Sequence, residues 1–433
     1  MDTVTLWYLI IGALLILMGL AGSVLQPLPL SPAMFYLAIG FALGPSGAGL
    51  VRLDPYGHAG VLTLVTEVAL LISLFAVGLR LRVELTNRIW WLPLRLGVLG
   101  MVLTIFLLSL AGVYLLHMPP GLALLLAAIL APTDPVLASD VQIKDVGDHD
   151  RTRFSLSGEG GLNDGTTYPF AMLGLCLLGV PQAAAYGRPE ALLLALWGIF
   201  AGALSGWLLG RLVVSLALYL REHFRQALGM EEFLTLGLIA LCYGVADLIH
   251  GIGFLSVFAA GVAMRHIEHH ATGRARPAQV IGAVPVGEEH KIATDPSKAP
   301  AYMAETVLGF NQQLEHIVEF VMVLLLGIML SGSGFSWEGA LVALLLLLVI
   351  RPLSSLLALA GAPDVTRLQC GLMAWFGIRG IGSLYYLMFA LQYALPPQMT
   401  QRLVPMVLTV VAISVLVHGI SATPIMNLYY KRR

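Results

Sequence analysis

Ala131-Pro132-Thr133-Asp134-Pro135 and Gly377-Ile378-Arg379-Gly380-Ile381-Gly382 each interrupt an apolar run near its middle, and the fold is read outward from them. Proline removes a backbone donor and clashes with the preceding turn, and clustered glycine relaxes a helix, so both stretches predict unwound backbone at mid-span. The surrounding composition makes these membrane helices. Hydrophobic residues are 58% of the 433-residue chain and charged residues only 11%, against about 25% charged in an average soluble protein. A hydrocarbon core about 30 Å thick needs roughly 20 apolar residues per helical crossing. Thirteen such runs begin near residues 5, 32, 60, 92, 120, 155, 190, 229, 252, 312, 338, 369 and 402. The broken runs are the fifth and the twelfth, an odd offset, so they cross the membrane in opposite directions. Paired interrupted helices in corresponding positions point to a transporter of inverted repeats with its site near the midplane.

The expectation is an all-α polytopic membrane protein of about 13 transmembrane helices, in two inverted repeats with two broken, crossing helices. The first repeat would span 1–180 and the second 229–433, joined by a connecting helix in 181–228. No residue-by-residue repeat is visible, so this division rests on topology. The polar stretch 265–305 reads as a cytoplasmic linker, too short and too poor in apolar residues for a domain. The leader Met1-Asp2-Thr3 carries no Lys or Arg, and the run that follows to Leu25 is too long for a signal core, so it is expected to stay as a first helix.

A net charge of -1, from 24 Lys and Arg against 25 Asp and Glu, leaves no basic excess for a nucleic-acid backbone. Cys176, Cys242 and Cys370 lie far apart in apolar runs and offer neither a disulfide framework nor a thiolate metal cluster. Eighteen of the Lys and Arg fall after odd-numbered runs or in the C-terminal tail, and three (Arg52, Arg188, Arg402) after even-numbered ones. That asymmetry puts the N-terminus outside and the C-terminus in the cytoplasm. Arg95, Arg351 and Arg379 lie within runs.

An ionisable side chain inside a bilayer is a functional hypothesis by default. Asp134, Glu159, Asp164 and Arg379 stand out, with Arg351 at the inner end of the eleventh run. The sixth run carries Ser157-Gly158-Glu159-Gly160-Gly161-Leu162-Asn163-Asp164-Gly165-Thr166-Thr167, a poor isolated helix whose glycines suit close approach of a neighbouring backbone. Glu159 precedes Asp164 by more than one turn, which frees it to pair with a cation, and Arg379 is the expected partner. Asp164, Asp134 and the carbonyl and hydroxyl of Thr133 form a set of hard oxygens that replaces the hydration shell of a small monovalent cation. Out of water a carboxylate also takes a proton more readily. Proton and cation then compete for the same oxygens, which is exchange in its simplest form.

Other features have plainer readings. His266, His269, His270 and His290 are expected in a solvated loop, and Glu315 and Glu319 as helix-entry charge or the lining of an ion vestibule. Asp247 and His250 read as interfacial polarity, and Trp90 and Trp91 as part of an aromatic belt. The Gly run has no preceding strand and no following Lys, so it is no phosphate loop.

At these residues the chain resembles the monovalent cation/proton antiporters, in particular the NhaP-type branch that includes the Na+/H+ exchangers. Thr133-Asp134-Pro135 is similar to that family's broken-helix motif, Gly158-Glu159 through Asn163-Asp164 to its ion-site helix, and Gly377-Ile378-Arg379-Gly380 to its second broken helix. Weaker echoes, Gly40 to Gly44-Pro45, Phe75 to Gly78-Leu79, Phe254 to Gly261, Arg351-Pro352-Leu353 and His418-Gly419 to Thr423-Pro424, follow in order along nearly the whole chain. The resemblance implies a sodium/proton antiporter-like fold and a homodimer in the cytoplasmic membrane. It also implies a mobile core of about 91–180 and 338–433 that moves as an elevator. It makes Asp164 the carrier of Na+ or Li+ and of H+, assisted by Asp134 and Thr133 and supported by Asn163, Glu159 and Arg379, with no cofactor. The Asn-Asp pair implies one cation for one proton. A hydroxyl residue often follows the family's helix-six Glu, whereas this chain has Gly160, which leaves room for a larger ion such as K+. With the chain stopping at Arg433, no long C-terminal regulatory domain is expected. A channel, a membrane enzyme and an ion or pH sensor without transport are the readings from other classes. No His-Glu-x-x-His or Gly-x-Ser-x-Gly motif favours the enzyme.

Overall fold

The computed structural model describes residues 5, 8–16, 19, 31–134, 141–143, 148, 150–224, 230–273, 275–282, 289–362 and 365–431. The Met1-Asp2-Thr3 leader, Pro135 of the first break, and the basic residues Lys144, Arg225, Arg274, Arg432 and Arg433 lie outside the described residues. Helix is present at each of the thirteen expected places, and no strand occurs among the described residues. The helices are α1 (8–16), α2 (Pro32–Leu43), α3 (Ala59–Arg80), α4 (Arg88–Tyr114), α5 (Pro120–Leu130), α6 (Arg151–Leu177) and α7 (Ala191–Phe224). They continue as α8 (Glu231–Leu248), α9 (Gly253–Thr272), α10 (Ala299–Ser333), α11 (Trp337–Leu359), the two halves α12a (Arg367–Trp375) and α12b (Ile381–Leu391), and α13 (Pro397–Lys431).

Six of these are long and apolar enough to cross a membrane, by length and composition. The 11 residues of α5 reach only about 16 Å at 1.5 Å per residue. The same holds for α12b. Both are half-span helices, as the mid-run breaks require.

Local sequence sets the ends. Proline opens α2 and α5 in the first turn, where the missing N–H has no helical partner anyway. The Asp150 carboxylate accepts from the N–H groups of Thr152 and Arg153 and closes the start of α6. Thr366 and Gln369 form a capping box at α12a. A π turn interrupts α4 at Arg95–Gly100, and another interrupts α11 at Leu346–Ile350. These helices stand seven apart in order, as the two breaks do, and meet through a hydrogen bond between the Thr104 and Ser354 hydroxyls at 2.8 Å.

Membrane helices associate through close packing, because lipid tails are as apolar as Leu. A Cβ added at Gly78 would overlap the Phe258 carbonyl of α9, and one at Gly261 would overlap the Phe75 carbonyl of α3. Gly40 and Gly327 bring α2 and α10 together in the same reciprocal way.

Among the described residues, the stretch 265–305 is helical at both ends and largely exposed between them. α9 continues to Thr272, α10 starts at Ala299 rather than near 312, and the short helices Pro277–Ile281 and Glu289–Thr294 lie between. Arg265 is fully buried: its Nη1 meets Glu268 at 3.1 Å and Glu305 at 3.2 Å, and its Nε donates to the Leu79 carbonyl. Arg82 reaches the same Glu268 carboxylate at 2.9 Å. Composition counts charges singly, whereas here they neutralise one another across helices and go inside. His266, His269 and His270 accordingly sit on α9, with the His266 ring 5.2 Å from that of Trp207. Glu315 is likewise in the interior of α10, not at a helix entry, and its carboxylate is clasped by Arg80.

Candidate functional site

The two breaks cross. α5 ends at Leu130 and its chain runs on unwound through Asp134, while Phe376–Gly380 separates α12a from α12b. The Asp134 N–H donates to the Ile378 carbonyl at 2.7 Å, and the Ile381 N–H donates to Asp134 Oδ2 at 3.0 Å. A carboxylate thereby sits at the N-terminus of α12b, the positive end of its dipole.

Each half-helix also leaves terminal carbonyls without a helical partner, which is costly where no water reaches. Two buried arginines answer this. Arg379 Nη1 donates to the carbonyls of Ala131 and Pro132, at the C-terminal end of α5. Arg351 Nη2 donates to the carbonyls of Met373 and Phe376, both at 3.0 Å, at the C-terminal end of α12a.

That arrangement corrects the expected partner of Glu159. Arg351, not Arg379, takes both of its carboxylate oxygens, with Nη2 to Oε2 at 2.8 Å. Arg379 pairs with no carboxylate among the described residues and is held by backbone carbonyls and by an N–H to the Ser414 hydroxyl at 2.9 Å. The turn and a half separating Glu159 from Asp164 directs Glu159 to α11, away from the crossing.

Asn163 and Asp164 divide the work at the break. Asn163 Nδ2 donates to the Thr133 hydroxyl at 2.8 Å and pins the unwound chain to α6. Asp164 is 5% exposed, and its Oδ1 is buried with no hydrogen-bond partner. It faces Gly382, where an added Cβ would overlap Oδ1 and come within 3.3 Å of Pro132 Cβ. The Tyr386 hydroxyl donates to the Asp164 backbone carbonyl. Thr133, Asp134, Asn163 and Asp164 are therefore assembled around one crossing, whereas Glu159 stands apart in its ion pair. The donor set is carboxylate, hydroxyl and carbonyl oxygen, which suits a hard monovalent cation. The unsatisfied Asp164 oxygen needs either such an ion or a proton.

The glycines of α6 serve the packing expected of them. A Cβ at Gly161 would overlap the Phe258 ring and one at Gly165 the Leu255 side chain, so α9 presses directly on α6. Gly382→Ala is expected to abolish cation binding at Asp164 while leaving the thermal unfolding midpoint within a few degrees, because its methyl meets a carboxylate tip and not a packed backbone. Unaltered binding in that variant would move the ion away from Asp164 Oδ1.

Tyr386 lies outside the sequence-based set, while Arg351 and Gly382, read there only as a charge within a run and as part of the second break, take on the specific contacts given above. The polar Ser383 and Tyr386, three residues apart just after the second break, were the available signal for α12b. Toward the Arg-poor end, a cavity of about 470 Å³ opens between α3 and α8 on one side and α6 and α12b on the other. Glu67, Asp247 and His250 line it, opposite Tyr168 and Tyr385, and the Tyr243 hydroxyl donates to Glu67. Asp247 and His250 thus belong to a vestibule as well as an interface. A space of about 10 Å³ lies beside Thr133, Asp134 and Phe376 among the described residues, roughly the space of one water.

A family model described as sodium/hydrogen exchanger, transmembrane, matches residues 12–283, which include Thr133, Asp134, Glu159, Asn163 and Asp164. The K(+)/H(+) antiporter NhaP2 of Shewanella sp. (strain MR-4) is 26% identical over 431 residues, covering 96% of this chain and 66% of its own length. The K(+)/H(+) antiporter NhaP of Alkalimonas amylolytica is 26% identical over 433 residues, with 98% and 67% covered. The chain thus spans about two thirds of the length of these curated relatives. The sodium proton antiporter MjNhaP1 from Methanocaldococcus jannaschii shares the fold, with a TM-score of 0.72 at 17% identity over 98% of this chain and 99% of that one. With multiple membrane helices, two half-span breaks crossing at a buried carboxylate, and more than half its length matched, the chain belongs to the transmembrane sodium/hydrogen exchanger family, a family of transporters and not of enzymes.

Proposed function

We propose that this chain is a secondary antiporter that exchanges a monovalent cation, Na+ or Li+ foremost, for H+ across the cytoplasmic membrane. The observation that carries the reading is the buried, unpartnered Asp164 Oδ1 at the crossing of two broken helices. Thr133 and Asp134 complete the ion's oxygen shell. Asn163 and Arg379 hold the unwound segments, and Glu159 acts through Arg351. Cation and proton occupy the Asp164 carboxylate in turn, one for one. Such a cycle escapes the roughly 2.3 kcal/mol per charge per 100 mV that net charge movement would feel. The chain works as a homodimer with its N-terminus outside. The core of about 91–180 and 338–433 moves as an elevator, and the 470 Å³ cavity is its outer access.

K+/H+ exchange on the same scaffold is the second reading. Gly160 in place of a hydroxyl ligand favours it, as do the two curated relatives described as K(+)/H(+) antiporters. Proton flux in proteoliposomes, followed with a pH-sensitive dye as Na+, Li+, K+ and choline are added in turn, separates the two. No cation-specific flux from folded protein would leave the ion or pH sensor as the surviving reading.

Competition sets the pH dependence. As pH falls through the carboxyl's protonation range, the proton occupies the site and excludes the cation. The apparent KM for the cation then rises about tenfold per pH unit, while the maximal rate at saturating cation holds. A KM independent of pH would mean that proton and cation use different groups.

A further inference from the structure

We propose that the Arg-rich face of the molecule carries a binding site for the phosphate headgroup of an anionic phospholipid, between the start of α4, the start of α6 and the end of α11. A cavity of about 590 Å³ is lined there by Arg88, Arg95 and Arg151, with Asn87, Trp91 and Leu92. No carboxylate lines it among the described residues, and neither Arg88 nor Arg95 forms an ion pair with a described residue. Arg95 Nη1 donates to the Ala360 carbonyl at the end of α11, 3.1 Å away. That bond ties the guanidinium of this lining residue to α11 and leaves its other N–H groups for a ligand. Arginine's planar fork of donors matches phosphate oxygens.

The surroundings favour a lipid as the source of that phosphate. Arg95 lies seven residues beyond Arg88, about 10 Å deeper along α4. At that depth a long arginine side chain carries its charged head back toward the interface along an apolar stem. Trp91 is 64% exposed beside the cavity, the position of an interfacial aromatic. From there exposed apolar side chains continue down the lipid-facing surface, Leu94 and Val98 on α4 and Leu353 and Leu357 on the adjoining α11. Headgroup charge and acyl chain thus find their counterparts in sequence, the pattern of a basic pocket between membrane helices that takes anionic headgroups.

The test uses the full chain purified in a neutral maltoside detergent and titrated with phosphatidylglycerol, phosphatidylcholine or sodium phosphate. Thermal unfolding and native mass spectrometry of retained lipid provide the readouts. Phosphatidylglycerol is expected to raise the unfolding temperature and to be retained, with little effect from the other two. The Arg88→Gln, Arg95→Gln, Arg151→Gln triple variant is expected to need at least about tenfold more phosphatidylglycerol for half the effect. Arg88→Gln with Arg151→Gln keeps the Arg95 tie to α11, and it decides the matter if the triple variant does not fold. Arg188→Gln, an exposed arginine at the opposite face, is expected to respond as wild type. Superposable wild-type and double-variant titrations, or an equal loss in Arg188→Gln, would overturn the site. A full shift with sodium phosphate alone would overturn the lipid assignment.

Discussion

Asp164→Asn is expected to reduce cation-driven proton flux to that of protein-free vesicles while leaving the protein folded. The substitution keeps the shape of the side chain and removes both its charge and its titration. A contact to a charged group in a dry site is worth roughly 1.5–3 kcal/mol, so losing the carboxylate costs the ion at least about tenfold in affinity and abolishes coupling outright. Stability is expected to hold or rise, because Oδ1 has no partner to lose and a buried charge is costly to keep. Flux and unfolding temperature, measured on wild type and variant side by side, check both halves. Flux surviving at wild-type level would move the carrier elsewhere, and Asp134→Asn would be tested next.

The second large effect concerns stability. Glu159 and Arg351 are each about 2% exposed and joined through both carboxylate oxygens. Removing one partner of such a pair strands a charge and costs roughly 3–5 kcal/mol. Glu159→Met and Arg351→Met should each lower the unfolding midpoint strongly. The double replacement should recover much of the loss, as apolar residues of similar size often substitute for a buried pair. Recovery is expected to be incomplete, since Arg351 also serves the carbonyls of Met373 and Phe376. Those charged-donor bonds are worth roughly 1.5–3 kcal/mol each. A double variant whose loss equals the sum of the singles would show the pair to be energetically uncoupled.

Much of this site was legible before any coordinates. Pro132, Gly377 and Gly380 mark the two unwound segments because backbone chemistry is local, and an aspartate within an apolar run is conspicuous wherever it folds. Run length located the helices for the same reason: the need to bury some 20 residues per crossing is imposed by the membrane and not by neighbours. The ends of the polar stretch 265–305, which are helical and carry buried charge, mark the limit of that logic. Arg82 and Arg265 balance Glu268 and Glu305, and a linear count of charges cannot register their convergence.

The sequence by itself therefore determined the membrane class, the places of the helices, both breaks and the carboxylates at stake. Tertiary structure alone decided which cation meets which anion. Glu159 and Arg351 lie 192 residues apart, and Arg379 bonds to carbonyls 247 and 248 residues away. Two arginines on the second half of the chain were equally available to one glutamate. The choice followed from where the half-helices end: unwinding exposes carbonyls that need a donor, and each arginine settled at the end within its reach. Charge and spacing specify that a buried ion must find a partner, while the crossing of distant helices selects it.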